Sequence, residues 1–174
     1  MRNKGYLIIY TGNGKGKTCA ALGQALRAAG HGLKVCIIQF IKANDATGEA
    51  KMLGALADQI ELHVMGSGFT WQAGDGKELQ EAASKGWRLA REKIQSDAFD
   101  MVILDELTYL PIHNLLPETE IIEFLQTRPE RLHIVVTGRG ASQKLIAAAD
   151  LVTEMVEISH PYQQGFKARK GIEL

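Results

Sequence analysis

The sequence predicts an α/β fold, a mostly parallel sheet of about six strands with helices on both faces. Three observations carry that expectation. Short β-branched runs recur along the chain and are apolar at consecutive positions, as strands buried on both faces are. Stretches of helical composition or spacing separate them, so right-handed crossovers between parallel neighbours are the natural connection. A glycine-rich loop sits at the junction of the first apolar run and the first helical stretch.

The elements follow in order. Residues 6–11 form the first strand, and residues 17–29, rich in Ala and Leu, the first helix, stopped by Gly30-His31-Gly32. Residues 34–40 are the second strand, 49–57 a helix and 60–65 the third strand. A glycine-punctuated loop, 66–76, precedes a helix with Leu79, Ala83, Trp87, Ala90 and Ile94 at the spacing of one buried face. Met101-Val-Ile-Leu104 is the fourth strand, closed by Asp105-Glu106. A helix begins near Pro117, where proline is tolerated in a first turn, and carries Ile121, Ile122 and Leu125. Residues 133–137 are the fifth strand and 142–149 a helix, while the alternating run 151–158 suits a sixth strand at the sheet edge.

Composition narrows the function classes. The 174 residues fit one domain spanning 1–174, and 45% hydrophobic content suffices for a core without disulfides or structural metal. Lys plus Arg equals Asp plus Glu at 20 each, so no global charge favours nucleic acid or an acidic membrane. No run approaches the ~18 consecutive apolar residues of a membrane span, and no signal peptide is visible at the N-terminus. Cys19 and Cys36 lie in apolar stretches and read as buried small hydrophobes of a cytoplasmic protein. The five histidines lack ligand spacing, and no serine-hydrolase elbow occurs.

The chemistry starts at Gly12-Asn13-Gly14-Lys15-Gly16-Lys17-Thr18. A triphosphate needs many fixed donors, and the amides of a glycine-rich turn at a helix N-terminus supply them. Lys17 adds a point charge, and the Thr18 hydroxyl can ligate Mg²⁺. The consensus pattern places glycine at position 11, where this chain has Thr11. A turn that binds nothing would satisfy the bare pattern, but the strand before and the helix after favour phosphate, and therefore ATP. Asp105 and Glu106 end the fourth strand, where a site of this class holds its metal carboxylate, and both stand as candidates. Arg139, between Gly138 and Gly140 after the fifth strand, can reach an anionic ligand.

The strings Tyr-Thr-Gly-Asn-Gly-Lys-Gly-Lys-Thr (10–18), Ile-Gln-Phe-Ile-Lys (38–42), Gly-Phe-Thr-Trp (68–71), Leu-Asp-Glu-Leu-Thr-Tyr (104–109), Thr-Gly-Arg-Gly (137–140) and Lys-Gly-Ile-Glu (170–173) are more specific together. In this order, over essentially the whole chain, they resemble the ATP:corrinoid adenosyltransferases of the phosphate-loop type. The resemblance implies a P-loop NTPase fold of the RecA-like kind. It implies transfer of the 5′-deoxyadenosyl group of ATP to Co(I) of cob(I)alamin or cob(I)yrinic acid a,c-diamide, with release of triphosphate. It also implies a nucleotide bound in reversed polarity, so that the loop grips the leaving group.

By the same resemblance Lys17, Thr18 and Glu106 are catalytic. Thr11, Gly12, Asn13, Gly14, Lys15, Gly16, Lys17, Thr18 and Arg139 contact ATP, with Asn13 beside the nucleoside. Thr18 and Glu106, with Asp105 the alternative, hold Mg²⁺ or Mn²⁺, and Phe69 and Trp71 face the corrinoid and help remove its lower cobalt ligand. Implied partners are a flavoprotein reductase that delivers the electron and a second copy of the chain in a homodimer, with no nucleic acid and no membrane. Two departures stand out: Cys19 replaces a second threonine, and only five residues precede the first strand where relatives often carry a longer segment that covers the partner's site. A kinase or an ATPase of the strand-exchange type is the second reading, with ADP or orthophosphate as product.

Overall fold

The computed structural model describes residues 4–42, 47–66 and 76–172. Among the described residues six strands form one sheet: β1 (Leu7–Thr11), β2 (Val35–Gln39), β3 (Ile60–Val64), β4 (Met101–Asp105), β5 (His133–Thr137) and β6 (Leu151–Glu154). Their order is β3-β2-β4-β5-β1-β6, and every pairing is parallel. The helices are α1 (Lys17–Gly30), α2 (Gly48–Gly54), α3 (Gly76–Gln95), α4 (Tyr109–Ile112), α5 (Glu118–Gln126) and α6 (Gln143–Ala148), with a 3-10 turn at Pro161–Gln164. Among the described residues no helix is long and apolar enough to cross a membrane.

The period-2 geometry of a strand explains why the apolar runs are continuous. Leu7, Ile9, Cys36, Ile38, Val102, Leu104, Ile134 and Val136 point to one face, where Trp87, Ala90 and Ile94 of α3, Ile121 and Leu125 of α5 and Leu145 of α6 cover them. Ile8, Val35, Ile37, Met101, Ile103 and Val135 point to the other, against the small stripe Ala21, Ala25 and Ala28 of α1 and Leu53 of α2. Alanines let α1 lie close to the sheet, which fixes its N-terminus just beyond the carboxyl ends of β1, β4 and β5.

Several boundaries differ from the sequence expectation for local reasons. Thr47 caps α2, its side chain accepting from the Ala50 N–H at 3.2 Å, and the helix ends at Gly54. Ser142 caps α6 by accepting from the Leu145 N–H at 3.1 Å, and Pro117 precedes α5 as its extended N-cap. The four-residue α4, which contains Pro111, had no periodicity to reveal it. β6 lies at the edge as expected, but all four of its residues are exposed and residues 155–158 leave the sheet. Cys36 is buried; Cys19 is exposed, because α1 turns its alanines inward and leaves position 19 on the wall of a cleft.

Candidate active site

The cleft lies where such a sheet binds ligands, outside the carboxyl ends of its strands, and has a volume of about 520 Å³. Four strands end there on polar residues that are nevertheless buried: Thr11 of β1, Gln39 of β2, Asp105 of β4 and Thr137 of β5. A buried polar side chain requires partners. Here Gln39 and Thr137 find Asp105, and Thr11 finds a backbone amide.

The loop from Gly12 to Gly16 reverses the chain between β1 and α1. Gly12 (φ 94°) and Gly16 (φ 117°) occupy backbone conformations that other residues avoid. Gly16 is the N-cap of α1 and provides no side chain to the first-turn amides, and no acidic residue lies in that turn. Those amides therefore face the cleft as an anion cradle. Lys17 folds back over the loop, its Nζ donating to the carbonyls of Gly12 and Gly14, both at 2.7 Å.

Gly14 has a different task from the one its position in a phosphate loop suggests. Its N–H donates to the Met155 carbonyl at 2.7 Å, and a Cβ there would lie 2.8 Å from that oxygen. A Cβ on Gly12 would meet the same carbonyl at 2.3 Å. The chain leaving β6 thus packs directly on the loop, and the added glycines make room for it. Thr11 needs no glycine conformation, since it ends β1 in regular strand geometry, and its hydroxyl accepts from the Ala141 N–H at 3.2 Å. Asn13 and Lys15 are exposed at the tip of the loop.

Across the cleft, Asp105 is 1% exposed and both its oxygens accept hydrogen bonds. Thr18 Oγ1 (2.9 Å) and Thr137 Oγ1 (2.6 Å) donate to Oδ1, and Gln39 Nε2 (3.0 Å) donates to Oδ2, with Lys42 Nζ at 4.0 Å. Glu106 turns the other way. Its φ is 65°, its N–H donates to Thr137 Oγ1 at 2.9 Å, and its carboxylate points into the cleft with Oε2 buried and without a hydrogen-bond partner.

Comparison with known proteins decides what this constellation belongs to. The family model described as ATP:corrinoid adenosyltransferase BtuR/CobO/CobP matches residues 3–174. This chain belongs to the ATP:corrinoid adenosyltransferases. Among its relatives, a protein of Pseudomonas aeruginosa named corrinoid adenosyltransferase is 41% identical, over 98% of this chain and 84% of that protein. One of Salmonella typhimurium named corrinoid adenosyltransferase CobA is 39% identical, over 99% of this chain and 87% of its own length. The flagellar accessory protein FlaH of Methanocaldococcus jannaschii superposes with a TM-score of 0.56 at 11% identity, covering 87% of this chain and 71% of that one. That likeness shows the P-loop NTPase-like fold alone.

In this adenosyltransferase the cleft brings opposite charges close together. Burial lowers the Lys17 pKa, the Arg139 charge lowers it further, and Glu106 and Glu157 oppose both. Burial pushes the Glu106 carboxyl up to about 7, aided by the Asp105 charge and opposed by Lys42 and Lys17. A buried carboxylate oxygen without a partner, on the same cleft as the Thr18 hydroxyl, is a donor pair that fits a hard divalent cation. Among the described residues no group of three or more His, Cys, Asp or Glu could hold a metal by itself. Magnesium–nucleotide sites take one or two protein carboxylates and complete the shell with phosphate and water.

Arg139 reaches the cleft because of its neighbour. Gly138 has φ 142°, and the space of its missing Cβ holds Thr108 Oγ1, 1.9 Å from where that Cβ would lie; this hydroxyl donates to the Arg139 carbonyl at 2.7 Å. The structure therefore gathers Lys15, Gly16, Lys17, Thr18, Glu106 and Arg139 on one cleft. Phe69 and Trp71 lie outside the described residues. The sequence assigns no role to Gln39, Lys42, Thr108, Tyr109 or Thr137, nor to Gly171 and Ile172, which line the cleft from the C-terminal segment. A signal for two of them existed: a polar residue closing an apolar strand, as in Gln39 and Thr137.

Proposed function

We propose that this corrinoid adenosyltransferase holds ATP with its triphosphate on the loop 12–18 and presents the ribose 5′ carbon to Co(I) of a corrinoid. The observation that carries this reading is the pairing of an uncapped helix N-terminus and Lys17 with the orphaned Glu106 carboxylate across one cleft. In the reaction the Co(I) electron pair forms the new bond to the 5′ carbon as the bond from that carbon to triphosphate oxygen breaks, and triphosphate departs with the electron pair of the broken carbon–oxygen bond. No proton changes hands at the reacting carbon. The residues need only hold the leaving group and stabilise its charge.

On this reading the loop amides and Lys17 grip the triphosphate, giving up the Gly12 and Gly14 carbonyls as partners for Lys17. Arg139 adds charge from the opposite wall, and Asn13 contacts the nucleoside. Thr18 and Glu106 hold Mg²⁺, or Mn²⁺, which when bound neutralises charge on the phosphates. Asp105, whose two oxygens are occupied by neighbours, orients Thr18 instead of binding the cation directly. The same engagement leaves Asp105 poorly placed as a base for an acceptor hydroxyl, which weighs against phosphoryl transfer.

Phe69 and Trp71 are assigned to the corrinoid, a flavoprotein reductase to the electron supply, and a homodimer to the assembly, all on the family resemblance. The free thiols of Cys19 and Cys36 suit a cytoplasmic setting. The test is a crystal structure with a non-hydrolysable ATP analogue. The terminal phosphate is expected deep in the loop with the 5′ carbon toward the opening. A γ-phosphate facing the opening, with the ribose on the far side of the triphosphate, would overturn the assignment.

A further inference from the structure

One residue in the wall of the cleft is fully buried and has its hydroxyl engaged by protein partners. Thr137, the last residue of β5, is 0% exposed. Its Oγ1 donates to Asp105 Oδ1 at 2.6 Å and accepts from the Glu106 N–H at 2.9 Å. Asp105 Oδ1 in turn accepts from Thr18 Oγ1 at 2.9 Å. A single chain of hydrogen bonds therefore runs from the Glu106 amide through Thr137 and Asp105 to the first turn of α1. It joins β4, β5 and the phosphate loop, three elements distant in sequence.

The bond to Glu106 has a specific consequence. At φ 65° a glutamate occupies backbone space that non-glycine residues rarely enter. That turn sends the Glu106 side chain into the cleft while Asp105, one position earlier, stays buried at the carboxyl end of β4. Its N–H has lost the sheet as a partner and finds Thr137 instead. A residue at 137 with the same shape and no hydroxyl would leave a buried amide unpaired and remove one of the two donors on Asp105 Oδ1.

We infer that Thr137 is a positioning residue for the cation site, holding Glu106 in its turned conformation and orienting Thr18 through Asp105. The inference rests on the proposed metal–ATP reading of the cleft. Outer partners of this kind commonly change metal affinity by about 10–100-fold when removed. The two contacts of one hydroxyl also explain why the site needs a hydroxyl at the end of β5: serine provides both, valine neither.

The experiment is a Mn²⁺ titration by electron paramagnetic resonance, with saturating ATP and no corrinoid, on the full chain, Thr137→Val and Thr137→Ser. ATP binding without divalent cation and thermal melting are measured alongside. Thr137→Val is expected to weaken Mn²⁺ binding by at least about tenfold, with cation-free ATP binding within about twofold of the parent chain and Thr137→Ser restoring the cation affinity. A folded Thr137→Val that binds Mn²⁺ like the parent overturns the inference, as does an equal loss of ATP binding with and without cation, the mark of general damage. If Thr137→Val does not fold, Thr137→Cys keeps the volume with a weak donor, and parent-like Mn²⁺ binding by that variant overturns it equally. Failure of the parent chain to bind Mn²⁺ with ATP would instead sink the metal–ATP reading itself.

Discussion

Lys17→Ala is expected to lower kcat/KM for adenosyl transfer by about 10²–10³-fold, the scale of losing a preorganised charge at a developing anion. In the free protein the ammonium is held over the loop by the Gly12 and Gly14 carbonyls, so it is already at the loop when the triphosphate replaces them as its partner. Its task grows during the reaction, because the departing triphosphate gains charge as the carbon–oxygen bond breaks. The loss should therefore appear in kcat at saturating ATP as well as in KM. Lys17→Arg should recover little, since a planar fork cannot replace a compact ammonium enclosed by two carbonyls. Steady-state rates with chemically supplied Co(I) and varied ATP make the check. A loss below tenfold would mean that Lys17 is only a brace for the loop.

Glu106→Gln has two expected effects with different pH signatures. In the absence of nucleotide and cation, the folded carboxyl titrates near 7 against an ordinary value of 4.5. Below the ordinary value it is protonated both folded and unfolded, and the favourable contribution of the neutral form is fully present. As pH rises through the window from about 4.5 to about 7, the unfolded chain releases its proton first, so stability falls. Above that window the loss is complete and constant. Glu106→Gln stays neutral throughout and should melt above the parent chain at pH 8, with the difference shrinking towards pH 4.5 and amounting to ~1–3 kcal/mol at most. With ATP and Mg²⁺ the ranking should reverse in function, adenosyl transfer falling about 10²-fold. Melting curves of the two chains that remain parallel from pH 4.5 to 8 would contradict the account of the buried carboxyl.

The sheet and its crossovers were legible because burial on both faces forces uninterrupted apolar runs, and 101–105 or 133–137 could hardly read otherwise. The phosphate loop was legible through Gly-Lys-Thr at a strand–helix junction. What escaped depended on packing between distant segments. That Gly12 and Gly14 accommodate the Met155 carbonyl cannot be read from the loop, because position 155 enters only through the edge strand. The different surroundings of Asp105 and Glu106 were hidden for a similar reason: adjacent carboxylates look alike in sequence. The hydrogen bonds of Thr18, Gln39 and Thr137 separate them. Cys19 was misplaced because apolar composition in α1 does not say which side of the helix faces the sheet. The short α4 carries too few residues for periodicity to register.

If the loop grips a leaving group and the cleft presents a carbon, as proposed, corrinoid and triphosphate chemistry are inseparable. Incubation with ATP, Mg²⁺ and chemically reduced cob(I)alamin tests it most directly, following the absorbance change of a new cobalt–carbon bond and assaying the phosphate products in the same sample. Adenosylcobalamin and triphosphate are expected in equal amounts, with triphosphate production requiring the corrinoid. ADP or orthophosphate as the primary product, or ATP bound and left unchanged beside Co(I), would contradict it.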